Sequence, residues 1–74
     1  MKRDLSVDVT NCYRDVKKDE VIALLKAGKV VSLYVDCIGH TRAEMVEAQY
    51  VNEMKKEVDL KIGKDEWGDN CYYI

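Results

Sequence analysis

The sequence predicts a small two-layer α/β (or α+β) sandwich, a mixed sheet with two helices in the order β-α-β-α-β-β. Three observations carry that prediction. Apolar residues alternate with period two at Leu5-Val7-Val9 and again at Val58-Leu60-Ile62. They recur at helical spacing between Val21 and Leu25 and between Ala43 and Met54. Between these helical segments lies Val30-Val31-Ser32-Leu33-Tyr34-Val35, a nearly continuous apolar and β-branched run.

In order along the chain, Leu5–Thr10 reads as a half-buried strand with Leu5, Val7 and Val9 on its inner face, ended by Asn11. A polar stretch follows. Val21, Ile22 and Leu25 then give a helix one buried face, with Asp15 or Asp19 suited to its start. Gly28 is placed to stop it at positive φ. Val30–Val35 reads as a central strand, covered on both faces. A strand, a short helix and a strand make a βαβ unit, so the first two strands are expected to be parallel with a right-handed crossover.

Thr41-Arg42-Ala43-Glu44 has the form of a capping box ahead of a second helix, from Arg42 to about Glu57. Ala43, Val46, Glu47, Tyr50 and Met54 lie on one stripe of it, with Val51 and Val58 alongside. Val58–Ile62 reads as a third strand, residues 63–70 as a loop, and Cys71–Ile74 as a short terminal strand antiparallel to the third.

A chain of 74 residues allows one compact domain, residues 1–74, and buries only about 60% of the surface that its unfolded form exposes. With 47% hydrophobic residues it is not compositionally disordered. Three cysteines are too few, and odd in number, for a disulfide scaffold. No apolar run approaches the roughly 20 residues of a membrane span. Twelve basic against 14 acidic side chains argue against binding to nucleic-acid phosphates. Met1-Lys2-Arg3-Asp4 leads into an alternating segment and carries no secretory pattern, which with three cysteines leads us to expect a cytoplasmic setting.

Parallel first and second strands would place Cys12 and Cys37 just past their carboxyl ends, with His40 beside the second helix. A parallel third strand and an antiparallel fourth would bring Cys71 to the same end. Carboxyl ends of parallel strands are where open α/β folds bind ligands. Cys12, Cys37, His40 and Cys71 are therefore one candidate set, a Cys₃His zinc site with Asp36 as an outer partner of the ligands. Against it, cysteine is a common buried hydrophobe, and no tight C-x-x-C knuckle is present. A second use of the same residues is thiol-based redox chemistry, with Cys37 at a helix N-terminus and His40 as its base. No nucleophile motif, G-x-G-x-x-G, P-loop lysine pattern or other catalytic constellation stands out, so the chain is expected to be non-enzymatic and to need no cofactor, zinc being the alternative.

The aromatic residues near the C-terminus point to binding. Trp67 lies in Asp65-Glu66-Trp67-Gly68-Asp69, and Tyr72-Tyr73 follow. Trp and Tyr are favoured interface anchors, and adjacent tyrosines on a strand face opposite ways. Trp67, Tyr72 and Tyr73 are the candidate anchors. Asp65, Glu66 and Asp69 would supply charge complementarity to a protein partner with a basic or apolar surface. A terminal strand at a sheet edge would also allow a homodimer. In size and composition alone, the chain resembles the short, charged accessory proteins of bacteriophages and mobile elements. Many of those bind and inhibit a host protein, defence components included. That resemblance implies the cytoplasm of a bacterial host cell and transfers no residue roles.

Overall fold

Strand β1 (Leu5–Asp8), helix α1 (Asp15–Lys26), strand β2 (Val31–Tyr34), helix α2 (His40–Lys55), strand β3 (Lys61–Lys64) and strand β4 (Asn70–Tyr73) follow one another along the chain. The structure is a computed structural model, and it describes residues 1–9, 15–34 and 39–74. The expected order β-α-β-α-β-β, the mixed sheet and the two helices are all present. The Cα radius of gyration, 11.4 Å, matches the roughly 11 Å of a compact chain of this length.

The sheet order is β1-β2-β4-β3. β1 and β2 are parallel, with Leu5 opposite Val31 and Val7 opposite Leu33. β4 runs antiparallel to both β2 and β3, so β3 is parallel to β2. Both crossovers, β1 to β2 and β2 to β3, move in the same direction across the sheet. Crossovers of one hand then place both helices on the same face. The single core cluster agrees: Val21, Ile22 and Leu25 of α1 and Val46, Tyr50, Val51 and Met54 of α2 pack with Val31, Leu33 and Tyr72 of the sheet. The second crossover skips one position, and the β3–β4 hairpin fills that slot with β4. The terminal strand is therefore interior and not the edge expected of it. The edges are β1 and β3, and an edge-pairing homodimer would have to use one of these.

Helix α1 ends as its glycine suggests. Gly28 has φ 84°, its N–H donates to Leu25 O at 3.0 Å, and the Lys29 N–H donates to Leu24 O at 3.1 Å. This pair of bonds is a Schellman motif, which satisfies carbonyls that the helix end leaves open. Helix α2 starts earlier than expected. Its N-cap is Gly39, whose carbonyl accepts from Ala43 N–H at 3.0 Å, and no side chain caps it. Thr41 is thus already inside the first turn, and the Thr41–Glu44 capping box does not form.

The two helices are tied laterally. The Tyr50 hydroxyl donates to Lys17 O at 3.2 Å, and Lys18 pairs with Glu57 at 3.3 Å. β3 begins three residues later than the alternation predicts. Val58 and Leu60 face the core from the turn that leaves α2, where the Leu60 N–H bonds back to Val58 O at 2.9 Å. Gly63, Lys64 and Asn70, expected in a loop, are strand residues. Among the described residues, no helix is long and apolar enough to cross a membrane.

Candidate functional site at the β3–β4 turn

The residues from Asp65 to Asp69 close the β3–β4 hairpin. The Asp65 N–H donates to Asp69 O at 2.9 Å, and Gly68 N–H donates to Asp65 O at 3.1 Å. Gly68 has φ 82°, the left-handed conformation that ends a turn of this kind and that glycine adopts without strain. The Asp65 side chain organises the rest. Its Oδ1 accepts the N–H groups of Trp67 and Asp69, both at 2.9 Å. A small loop is thereby held by four hydrogen bonds, two of them accepted by one carboxylate oxygen.

That frame presents Trp67 outward, 65% exposed, and leaves Glu66 and Asp69 in solvent. The Arg3 guanidinium lies 4.6 Å from the centre of the Trp67 ring. Arg3 Nη1 also stands 3.8 Å from Asp65 Oδ2. The segment before β1 therefore crosses the sheet face that the helices leave open. Its course is pinned at Asp4, whose N–H donates to Val30 O and whose carboxylate accepts Val30 N–H, both at 2.8 Å. At its start, Met1 Sδ receives the Cys71 thiol at 3.4 Å.

Of the six expected contact residues, two do not reach the surface. Asp65 is 6% exposed and Tyr72 only 3%. Tyr72 points into the helix layer, where its hydroxyl donates to Glu47. Trp67, Glu66 and Asp69 are exposed, and Tyr73 is half-buried on the open face, so the adjacent tyrosines do face opposite ways. The reading from sequence missed two neighbours. Tyr34 is 54% exposed at the end of β2, and the antiparallel register carries that end towards the turn that precedes β4. Arg3 lies 62 positions from Asp65, and no local pattern links them.

Burial pushes the Asp65 carboxyl up, but the N–H groups of Asp69 and Trp67 and the Arg3 charge outweigh it and hold the group below the ordinary 3.8. A depressed native value adds stability that is complete above the unfolded pKa and is lost as pH falls through the native one. Asp65→Asn keeps the Oδ1 acceptor and lacks the charge. Its melting temperature should fall less than that of the parent chain between pH 7 and pH 2. Parallel curves would mean that the charge adds nothing.

The metal set is divided. Cys12 and Cys37 lie outside the described residues, as does Asp36, and so does the side chain of His40. Cys71 is described. It is buried opposite Gly63 in the hairpin, with its thiol on Met1. Among the described residues, no group of three or more His, Cys, Asp or Glu side chains is placed to hold a metal ion.

A concavity of about 400 Å³ runs between α2 and the β3 edge and is lined by Glu44, Glu47, Val51, Ile62 and Tyr72 among others. Ile62 is 49% exposed there because α2 leaves the last strand partly uncovered. Comparison with known protein families, curated proteins and solved structures finds no match to this chain.

Proposed function

We propose that the chain is a small, non-catalytic protein-binding module whose contact surface is centred on the β3–β4 turn. One observation carries this reading: an exposed tryptophan on a turn fixed by internal hydrogen bonds. Tryptophan is costly to leave in water, and a rigid presentation lowers the ordering entropy lost on binding. Glu66 and Asp69 flank it and suit a partner with a basic surface. Tyr73 and Tyr34 extend the apolar area along the open sheet face.

A chain of this size acting through one surface also fits an accessory role of the phage or mobile-element kind, binding and inhibiting a protein of a bacterial host in the cytoplasm. The test is affinity capture from that host with mass spectrometry, using the parent chain and a Trp67→Ala/Tyr73→Ala double variant. The parent should retain a specific protein. The variant should lose at least about tenfold of it while its circular dichroism stays native, as expected when anchors worth about 2 kcal/mol are removed. Undiminished capture by the folded variant would place the contact surface elsewhere.

A further inference from the structure

Asp65 is an unusual carboxylate. It is nearly buried, and its two oxygens are treated differently. Oδ1 is occupied by two backbone N–H groups, whereas Oδ2 is buried and accepts no hydrogen bond. An ionised oxygen without a donor in such a place is unfavourable. The nearest cation, Arg3, stands 3.8 Å away, within Coulombic reach but beyond the roughly 2.7–2.9 Å of a charge-assisted hydrogen bond. The same guanidinium lies over the Trp67 ring. Trp67 and Asp65 thus supply two of the elements that recognise arginine, an aromatic plane for stacking and an anionic oxygen, Oδ2, without a donor.

Arg3 occupies this arrangement without completing it, and the backbone explains why. Asp4 is clamped to Val30 by two bonds of 2.8 Å, so the reach of the residue before it is limited. Oδ2 is buried with Arg3 in place, so another arginine reaches it only when Arg3 withdraws.

We propose that Asp65 and Trp67 form a receptor for an arginine side chain, that Arg3 is its resident occupant, and that an arginine of the protein partner takes the place of Arg3 when the complex forms. This rests on the reading of the turn as a contact surface and names the chemistry it recognises. Arginine is selected over lysine because only the planar guanidinium can lie flat on the ring while one of its N–H groups donates to Oδ2. Glu66 and Asp69 raise the local concentration of such a cation. Arg3 keeps the carboxylate from facing water alone and sets a threshold that a weak cation does not cross. Its tether gives it a millimolar-scale effective concentration, so a competing ligand binds the parent chain more weakly than it binds a chain lacking Arg3.

Trp67 is the sole tryptophan, so its fluorescence reports on this site alone. The probe is N-acetyl-arginine amide, titrated into the parent chain, Arg3→Ala, Arg3→Lys, and Arg3→Ala/Asp65→Asn. Arg3→Ala should show saturable quenching, with an apparent affinity about tenfold above that of the parent. Arg3→Lys, which keeps the positive charge, should fall between them and serves as the measurement if Arg3→Ala does not fold. The double variant keeps the Oδ1 acceptor of the turn but should lose saturation, and N-acetyl-lysine amide should not saturate any of them. Linear quenching, equal response to the lysine compound, or indifference to Asp65→Asn would overturn the receptor. Capture of the partner should be stronger in Arg3→Ala than in the parent, and weaker capture would overturn the displacement. A failure of the receptor leaves the contact surface standing, since that surface is tested by capture with Trp67→Ala/Tyr73→Ala and not by these titrations.

Discussion

Truncating Leu25 to alanine is expected to lower stability by about 2–5 kcal/mol, enough to unfold a substantial part of the population at moderate temperature. Leu25 is fully buried in α1 and is among the largest side chains that the core encloses completely. The chain has no phenylalanine, and among the described residues five of the twelve in the core cluster are valines. Valines are stiff at χ1, so the walls of the resulting void collapse poorly and the cavity part of the loss is retained. At roughly 0.05–0.15 kcal/mol per residue, a chain of this length has on the order of 4–11 kcal/mol in total. One truncation therefore removes a large fraction of it. The urea midpoint should drop with the slope unchanged, because the surface exposed on unfolding hardly alters. Leu24→Ala is the control, since Leu24 is only partly buried on the neighbouring side of the helix. It should shift the midpoint much less. Equal shifts would mean that α1 packs by another face.

The buried face of α1 illustrates what local pattern encodes well. Val21, Ile22 and Leu25 share one side through helical spacing, and Gly28 stops the helix because only positive φ allows the Schellman bonds. The parallel pair β1–β2 follows from a short crossover helix in the same way. Patterns that depend on distant partners were not legible. The alternation Val58-Leu60-Ile62 resembles a strand, yet the first two positions belong to the turn leaving α2, where burial in the core requires no ladder. Thr41 and Glu44 have cap spacing, but α2 begins at His40 and leaves them past the cap. The slot that draws β4 into the sheet interior is created by a crossover far upstream. At the candidate site, Trp67 was legible as a candidate anchor among turn residues, while its exposure was not. The burial of Asp65 was not, because a carboxylate in an acidic loop ordinarily stays in water. Here the turn curls around it, and Arg3 arrives from the other end of the chain.

Tyr72 separates structural from binding contributions within the same C-terminal segment. Tyr72→Ala is expected to cost about 3–5 kcal/mol, in the range of other large aromatic truncations. The residue sits on the interior strand β4, opposite Val31 of β2 and Ile62 of β3, and reaches α2 through Glu47. Its removal loosens both sheet pairings and the helix layer together. Partner capture should then be lost along with the native circular dichroism spectrum, unlike the loss in Trp67→Ala/Tyr73→Ala. Tyr72→Phe keeps the ring and removes only the hydroxyl. It should cost about 1 kcal/mol, since Glu47 borders the open groove and regains water, and capture should persist. The two variants should also differ from the parent in alkali. Burial, and then the hydrogen bond and charge of Glu47, raise the Tyr72 hydroxyl well above the ordinary 10.0. A raised native pKa means that the native chain holds a proton which the unfolded chain releases. The stability involved is complete below pH 10 and declines as pH rises beyond it. Tyr72→Phe lacks that decline, so its melting temperature should approach that of the parent between pH 9 and pH 11. If Tyr72→Phe instead abolished capture with its fold and urea midpoint unchanged, the hydroxyl would belong to the contact surface. The groove beside Glu47, and not the β3–β4 turn, would then be where the partner sits.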